Sequence, residues 1–168
     1  MGTCLLIAEK PSAARKFAAA LGGMQGSFDG QPYRIVALRG HLMELARPEE
    51  QVAPEHAGRM ASWDPAAMPW DRSLIAWRRV PREGAADALQ EAERALSALE
   101  PGDEAVIATD SDPSGEGELL AWEVLEEAGY AGAVSRMHFA DEEPATVRAA
   151  LAARTPIPSP SADGELAK

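Results

Sequence analysis

Apolar positions fall along the chain in two rhythms. Unbroken apolar runs at CLLIA (4–8), YRIVAL (33–38), SLIAWRRV (73–80), EAVIAT (104–109) and VSRMHFA (134–140) predict strands. Other stretches repeat their apolar residues three and four apart, the period of a helix. PSAARKFAAALGG (11–23) opens on Pro11, suited to a first helical turn, and closes on Gly22-Gly23. Leu89, Ala92, Leu96 and Leu99 share one face of a helix predicted over 83–99. GELLAWEVLEEAG (117–129) and EEPATVRAALAAR (142–154) supply two more. Asp29-Gly30 predicts a hairpin or sharp turn ahead of the strand at 33–38.

The rhythm is lost between 47 and 72, where four prolines, Trp63 and Trp70 predict a long irregular loop tied in part by the two indoles. Strands that alternate with helices of ten or more residues are joined by crossovers and lie parallel. The predicted fold class is therefore α/β. At 168 residues the chain suits one domain, taken as 1–155. A Pro/Ser-rich tail over 156–168 turns helix-like at SADGELAK and is expected to lead into a further domain.

Composition narrows the chemistry. A formal net charge of -11 argues against a broad basic face gripping nucleic acid, while leaving room for local phosphate contacts. Acid clusters are also what a domain carries when a divalent cation stands between it and phosphate. The single cysteine, Cys4, lies in an apolar run and predicts a buried thiol in a reducing, cytoplasmic setting. No run is long and apolar enough for a membrane span.

The most charged turn is ATDSDPSGEGELLAW (108–122), which crowds Asp110, Asp112, Glu116 and Glu118 between a strand and a helix. Repulsion there is costly unless water or a cation sits among the carboxylates. In an open parallel sheet, ligands collect at the carboxyl ends of the strands. Glu9 ends the first strand and Asp110 and Asp112 follow a later one, so neighbouring strands would bring three hard oxygen donors to one edge, a set suited to Mg²⁺. Turn and N-cap chemistry explains Asp-x-Asp equally well. Glu116 and Glu118 fall in a first helical turn, where the helix dipole favours them, and Glu118 is expected to face solvent.

Three ordered blocks, IAEKPSAARKFAAALGG, ALRGHLMELARPEE and ATDSDPSGEGELLAW, resemble the N-terminal Toprim domain of type IA DNA topoisomerases, on the topoisomerase III side. WDPAAMPWDRSLIAWRRVPRE and SRMHFADEEPATVRAALAARTPI are similar to further stretches of that domain. The resemblance implies a Rossmann-like domain whose mainly parallel sheet of about four strands is flanked by helices. It implies the transesterification in which a tyrosine attacks a phosphodiester of single-stranded DNA, leaving a 5′-phosphotyrosyl link and a free 3′-hydroxyl that later religates. Its partners would be single-stranded DNA and the remaining domains of a longer topoisomerase.

Residue by residue, the resemblance makes Glu9 the general acid and base for the 3′-oxygen, with Lys10 on the scissile phosphate. Glu9, Asp110 and Asp112 become the Mg²⁺ ligands. Ser12, Arg15 and His41 are further candidates for DNA phosphate, His41 alternatively bracing the acids. The chain departs from the family's Asp-x-Asp-Arg-Glu-Gly-Glu: without a gap, Pro113 and Ser114 stand where Arg and the third acid belong. A two-residue insertion would instead make Glu116 the third acid. The arginine is missing in either alignment. Trp63, Trp70 and Trp77 are expected to anchor structure, with base stacking as the alternative, and His56 and His138 are taken as structural.

Tyr33 and Tyr130 are the only tyrosines, and neither resembles the family's nucleophile. The chain alone is not expected to cleave DNA. Two alternatives remain: a metal-dependent Toprim nuclease or primase-like module, and a Toprim module that binds without chemistry.

Overall fold

A computed structural model describes residues 2–63 and 65–160. The expected helix start at SADGELAK (161–168) lies outside the described residues. Contacts divide the chain into two compact units, Met1–Leu42 with Glu83–Lys168, and Met43–Arg82.

The larger unit is built on a six-stranded sheet. Its strands are β1 (Cys4–Ala8), β2 (Gln25–Phe28), β3 (Gln31–Ala37), β6 (Glu104–Ala108), β7 (Ala133–Arg136) and β8 (Thr155–Pro156), in spatial order β2-β3-β1-β6-β7-β8. The inner strands β3, β1, β6 and β7 are parallel, as the alternation of strands and helices predicts, and β2 and β8 close the edges antiparallel. The unbroken apolar runs mark strands covered on both faces. Cys4, Leu6, Ala8, Val106 and Ala108 join Phe17 of α1 (Pro11–Leu21) and Val147 and Leu151 of α5 (Pro144–Ala152) in one buried cluster. Alternate residues Leu5, Ile7, Ala105 and Ile107 are buried on the opposite face. There α3 (Ala86–Ser97) packs against β3 and against α4 (Glu116–Glu127).

Local signals hold where backbone chemistry dictates them. Pro11 opens α1 and Gly22, with φ of 98°, closes it in the left-handed region. Asp29 and Gly30, with φ of 50° and 79°, turn β2 into β3.

The smaller unit departs from expectation. SLIAWRRV is not one strand: Arg72–Leu74 form a 3₁₀ turn, and the strand begins only at β5 (Arg79–Pro81), which pairs antiparallel with β4 (Met43–Leu45). Asp71 captures the Ser73 N–H and hydroxyl at 2.9 and 2.7 Å, a local bond that competes with a strand ladder. The stretch predicted to be irregular contains α2 (Pro54–Ala61), started by a proline at its first position. Buried Gln51 organises this unit, donating to the Ala46 carbonyl and accepting the Arg78 N–H at 2.7 Å. Trp63 and Trp70 pack together with ring centroids 4.9 Å apart, the tie expected of them, while Trp77 is exposed.

Candidate active site

β1 and β6 are neighbours in register, Ala8 opposite Ala108, so the residues that follow them emerge at the same edge. Glu9 Oε2 accepts the Asp110 N–H at 3.3 Å. The Lys10 ammonium bridges the two acids, 3.2 Å from Glu9 Oε1 and 3.2 Å from Asp110 Oδ2. Its pKa is held above the ordinary lysine value, by the bond to Asp110 first and then by that to Glu9. Two carboxylates from different strands thus share one cation, in the form of an amine.

Asp112 turns the other way. Its Oδ1 accepts the Ser114 N–H at 2.9 Å and the Ser114 hydroxyl, and its Oδ2 accepts the Gly117 N–H at 2.9 Å. The Ser114 hydroxyl, then the Gly117 amide, keep the Asp112 carboxyl below the usual aspartate range. The turn and N-cap reading therefore describes Asp112 as it stands. Among the described residues, no three His, Cys, Asp or Glu side chains gather closely enough to hold a metal ion. Glu9 and Asp110 are the oxygen donors that face a common cation, a donor set that suits Mg²⁺.

The glycines explain how the turn closes. Gly115 caps α4 with φ of 75°. A Cβ on Gly117 would sit 2.2 Å from the Asp110 carbonyl oxygen, so the turn can pack onto α4 only at a glycine.

Beneath the turn lies a residue the sequence reading passed over. Buried Arg136, on β7, donates from Nη1 to Thr109 Oγ1 at 3.0 Å and from Nη2 to the Asp110 carbonyl at 3.1 Å. Its Nε is 3.6 Å from Glu118 Oε2. Burial pulls the guanidinium pKa down, and Glu118 and then Asp112 oppose that shift. Glu118 is therefore buried in an ion pair rather than facing solvent. The available signal was a charged residue inside the run VSRMHFA, since an arginine is rarely buried without a partner.

His41 follows Gly40, whose N–H bonds the Glu9 carbonyl at 3.3 Å. Its ring lies between Glu123 and Glu116, at 3.2 Å from each. Ser12 and Arg15 are exposed on α1, whose cap residue is Lys10. Beside Lys10 and Asp110 opens a cleft of about 670 Å³ that Lys16, Phe139 and Glu142 also line.

The tyrosines are elsewhere. Tyr33 is paired with Cys4 at the amino end of the sheet, its hydroxyl donating to the Leu21 and Gly23 carbonyls. Tyr130 precedes β7 and bonds the Ala133 carbonyl. Neither stands at the carboxyl-end edge where Glu9 and Asp110 meet.

Comparison with known proteins bears on the fold and the family. No curated protein matches the chain in sequence. Among solved structures, full-length topoisomerase I from Thermotoga maritima aligns over 91% of this chain with a TM-score of 0.59 at 18% identity, a likeness of fold. The chain spans 21% of that topoisomerase chain. The family model for the Toprim domain matches residues 4–141, from the first residue of β1 to just past the last parallel strand. That match takes in both strand ends of the acidic edge, and the chain belongs to the Toprim domain family.

Proposed function

We propose that residues 1–155 act as the Toprim part of a type IA DNA topoisomerase, working on the 3′ side of a single-strand break. The observation that carries this reading is the Lys10 ammonium gripping Glu9 and Asp110 across two neighbouring strand ends. Such an edge offers a carboxyl group for proton transfer, a fixed cation for a phosphate oxygen and two oxygen donors for a divalent ion.

In this reading a phenolate oxygen from another part of a longer protein, its proton already given up to water, bonds to phosphorus while the bond from phosphorus to O3′ breaks. Glu9 delivers its proton to the departing O3′ and takes it back on religation. Lys10 holds a phosphate oxygen. Mg²⁺ held by Glu9 and Asp110, and by Asp112 once its oxygens leave Ser114 and Gly117, would supply charge stabilisation at the edge. Glu116 is the better candidate for the third acid, because Gly117, the glycine forced by contact with Asp110, follows it directly as the family pattern asks. Arg136 supports the edge from below, as a positioning residue. Among the described residues, no helix is long and apolar enough to cross a membrane.

Titration calorimetry tests the reading. Mg²⁺ binding should weaken in Asp110→Asn and in Asp112→Asn, and unchanged binding in both variants would contradict it. The chain alone should not relax supercoiled DNA, since both tyrosines lie away from the edge. The engagement of both Asp112 oxygens with the start of α4 favours a second reading, a Toprim module that binds without chemistry. Intact folding with no divalent-ion binding selects that one.

A further inference from the structure

In the smaller unit Trp63 leans on Trp70, whereas Trp77 keeps 56% of its surface in water. That exposure is not slack in the chain, because buried Gln51 fixes the backbone on both sides of the indole. The Gln51 main-chain carbonyl accepts the Ala76 N–H at 2.7 Å, and its side-chain carbonyl accepts the Arg78 N–H at 2.7 Å. The Gln51 amide donates to the Ala46 carbonyl, and the Ala46 N–H donates to the Arg78 carbonyl at 2.9 Å. Gln51 thus stands in the β4–β5 ladder where a direct bond from Arg78 to Ala46 would otherwise close the pair. A tryptophan on so fixed a backbone forgoes the burial of a large ring, and its prior ordering lowers the cost of receiving a partner.

The surroundings of the indole select that partner. Side chains alternate along extended chain, so Trp77 shares a face with Arg79. Arg79 is registered opposite Leu45, which is 55% exposed, and Arg47, alternate to Leu45, is exposed as well. Residues 43–82 hold as many arginines as acids and no lysine, so the net charge of -11 falls entirely on the larger unit. A flat ring beside guanidinium groups, in the unit without net negative charge, is complementary to a base and its phosphates.

We propose that the face bearing Leu45, Trp77 and Arg79 binds single-stranded nucleic acid, with Trp77 stacked on a base and Arg47 and Arg79 meeting the flanking phosphates. The inference rests on the proposed function above for its class of ligand and adds a contact that the acidic edge does not use. Stacking accepts any base, so this contact carries affinity rather than sequence preference.

The test is the affinity of the full chain for a short fluorescein-labelled single-stranded oligodeoxynucleotide, read by fluorescence anisotropy in EDTA over a series of salt concentrations. Trp77→Ala should weaken binding by about tenfold, within the range for one stacked base, and Trp77→Phe should restore part of the loss. Arg47→Gln and Arg79→Gln should each flatten the slope of log affinity against log salt by about 0.7, the share of one phosphate contact on a single strand. Trp63→Ala, the control for any exposed indole, should bind as the wild type does. Wild-type affinity in Trp77→Ala overturns the proposal, as does an equal loss in Trp63→Ala or no oligonucleotide binding by the wild-type chain. So does a wild-type dimer in sedimentation that Trp77→Ala dissolves, which gives the face to a second copy. ¹H–¹⁵N spectra of the wild type cover the case of a variant that fails to fold: oligonucleotide should shift the Trp77 indole signal and leave that of buried Trp122 in place. An unmoved Trp77 signal overturns it. Mg²⁺ binding and its loss in Asp110→Asn are measured without nucleic acid, so the wider reading can stand when this one falls.

Discussion

Replacing Gly117 by alanine adds one methyl group at the tightest point of the acidic turn. The new Cβ would lie 2.2 Å from the Asp110 carbonyl oxygen and 3.2 Å from Asp112 Oδ2. Ordinary contact requires the carbonyl to retreat by roughly 1 Å, given carbon contact distances of about 3.5 Å. That carbonyl is held from below by Arg136 Nη2 at 3.1 Å, and Asp110 also carries the ion pair with Lys10. Overpacking of this kind costs about 1–3 kcal/mol, against a helix-propensity gain of at most about 1 kcal/mol from Gly to Ala. The expected net loss is about 1–2 kcal/mol, or roughly 2–8 °C in Tm for a chain of this size. Gly58, in α2, is the control: a Cβ there meets nothing within 4 Å, so Gly58→Ala should be neutral or stabilising. Calorimetric melts of both variants decide the matter. Gly117→Ala melting at or above the wild-type temperature would refute the packing account, and unchanged Mg²⁺ affinity in that variant would break the link from the glycine to the acidic edge.

Other outcomes follow from the same coordinates. Asp112 has a depressed folded pKa, so its contribution to stability is present above its unfolded value and fades as pH falls through the folded one. Ser114→Ala removes the largest cause of that depression, and carboxyl NMR should place the Asp112 titration at higher pH than in the wild type. Cys4 is buried, donates to Glu104 Oε1 at 3.1 Å, and has its pKa pushed up to about 12, by burial first. Its stabilising share persists below the unfolded thiol value near 9.0 and is lost as pH rises through the folded one. Ellman's reagent at pH 8 should therefore react only after unfolding, and fast labelling of the folded chain would contradict this. Tyr33→Phe strips the donor from the Leu21 and Gly23 carbonyls and should cost about 1–2 kcal/mol in denaturant unfolding, with no change in oligonucleotide affinity. Lys10→Met should change stability by less than about 1 kcal/mol, because the ion pairs are partly open to solvent, yet should weaken oligonucleotide binding.

Legibility differed between the two units for identifiable reasons. In the larger one, runs such as CLLIA and EAVIAT are apolar at every position because helices cover both faces of the sheet, and that pattern needs no knowledge of neighbours. The smaller one is organised by Gln51, whose side chain reaches Ala46 and Arg78, and by the Asp71 cap that breaks SLIAWRRV. Single polar contacts of this sort leave no periodic trace. At the candidate site, Glu9, Lys10 and Asp110 were readable because each lies within two residues of a strand end. Arg136 and Glu123 were not, since neither belongs to the acidic motif and each acts through a partner on another element.

Strand and helix periodicity, the turn glycines and the three motif blocks carried the α/β class, the parallel core and the Toprim family without any coordinates. Those features are local, written in the spacing of residues that touch water or avoid it. Which carboxylates face one another was a different matter. Glu9 and Asp110 are a hundred and one positions apart, and only the pairing of β1 with β6 brings them to one cation; Asp112, two residues further on, is turned aside by the amides of α4. Side-chain direction at a strand end depends on what the rest of the chain packs against it, and no spacing rule contains that information.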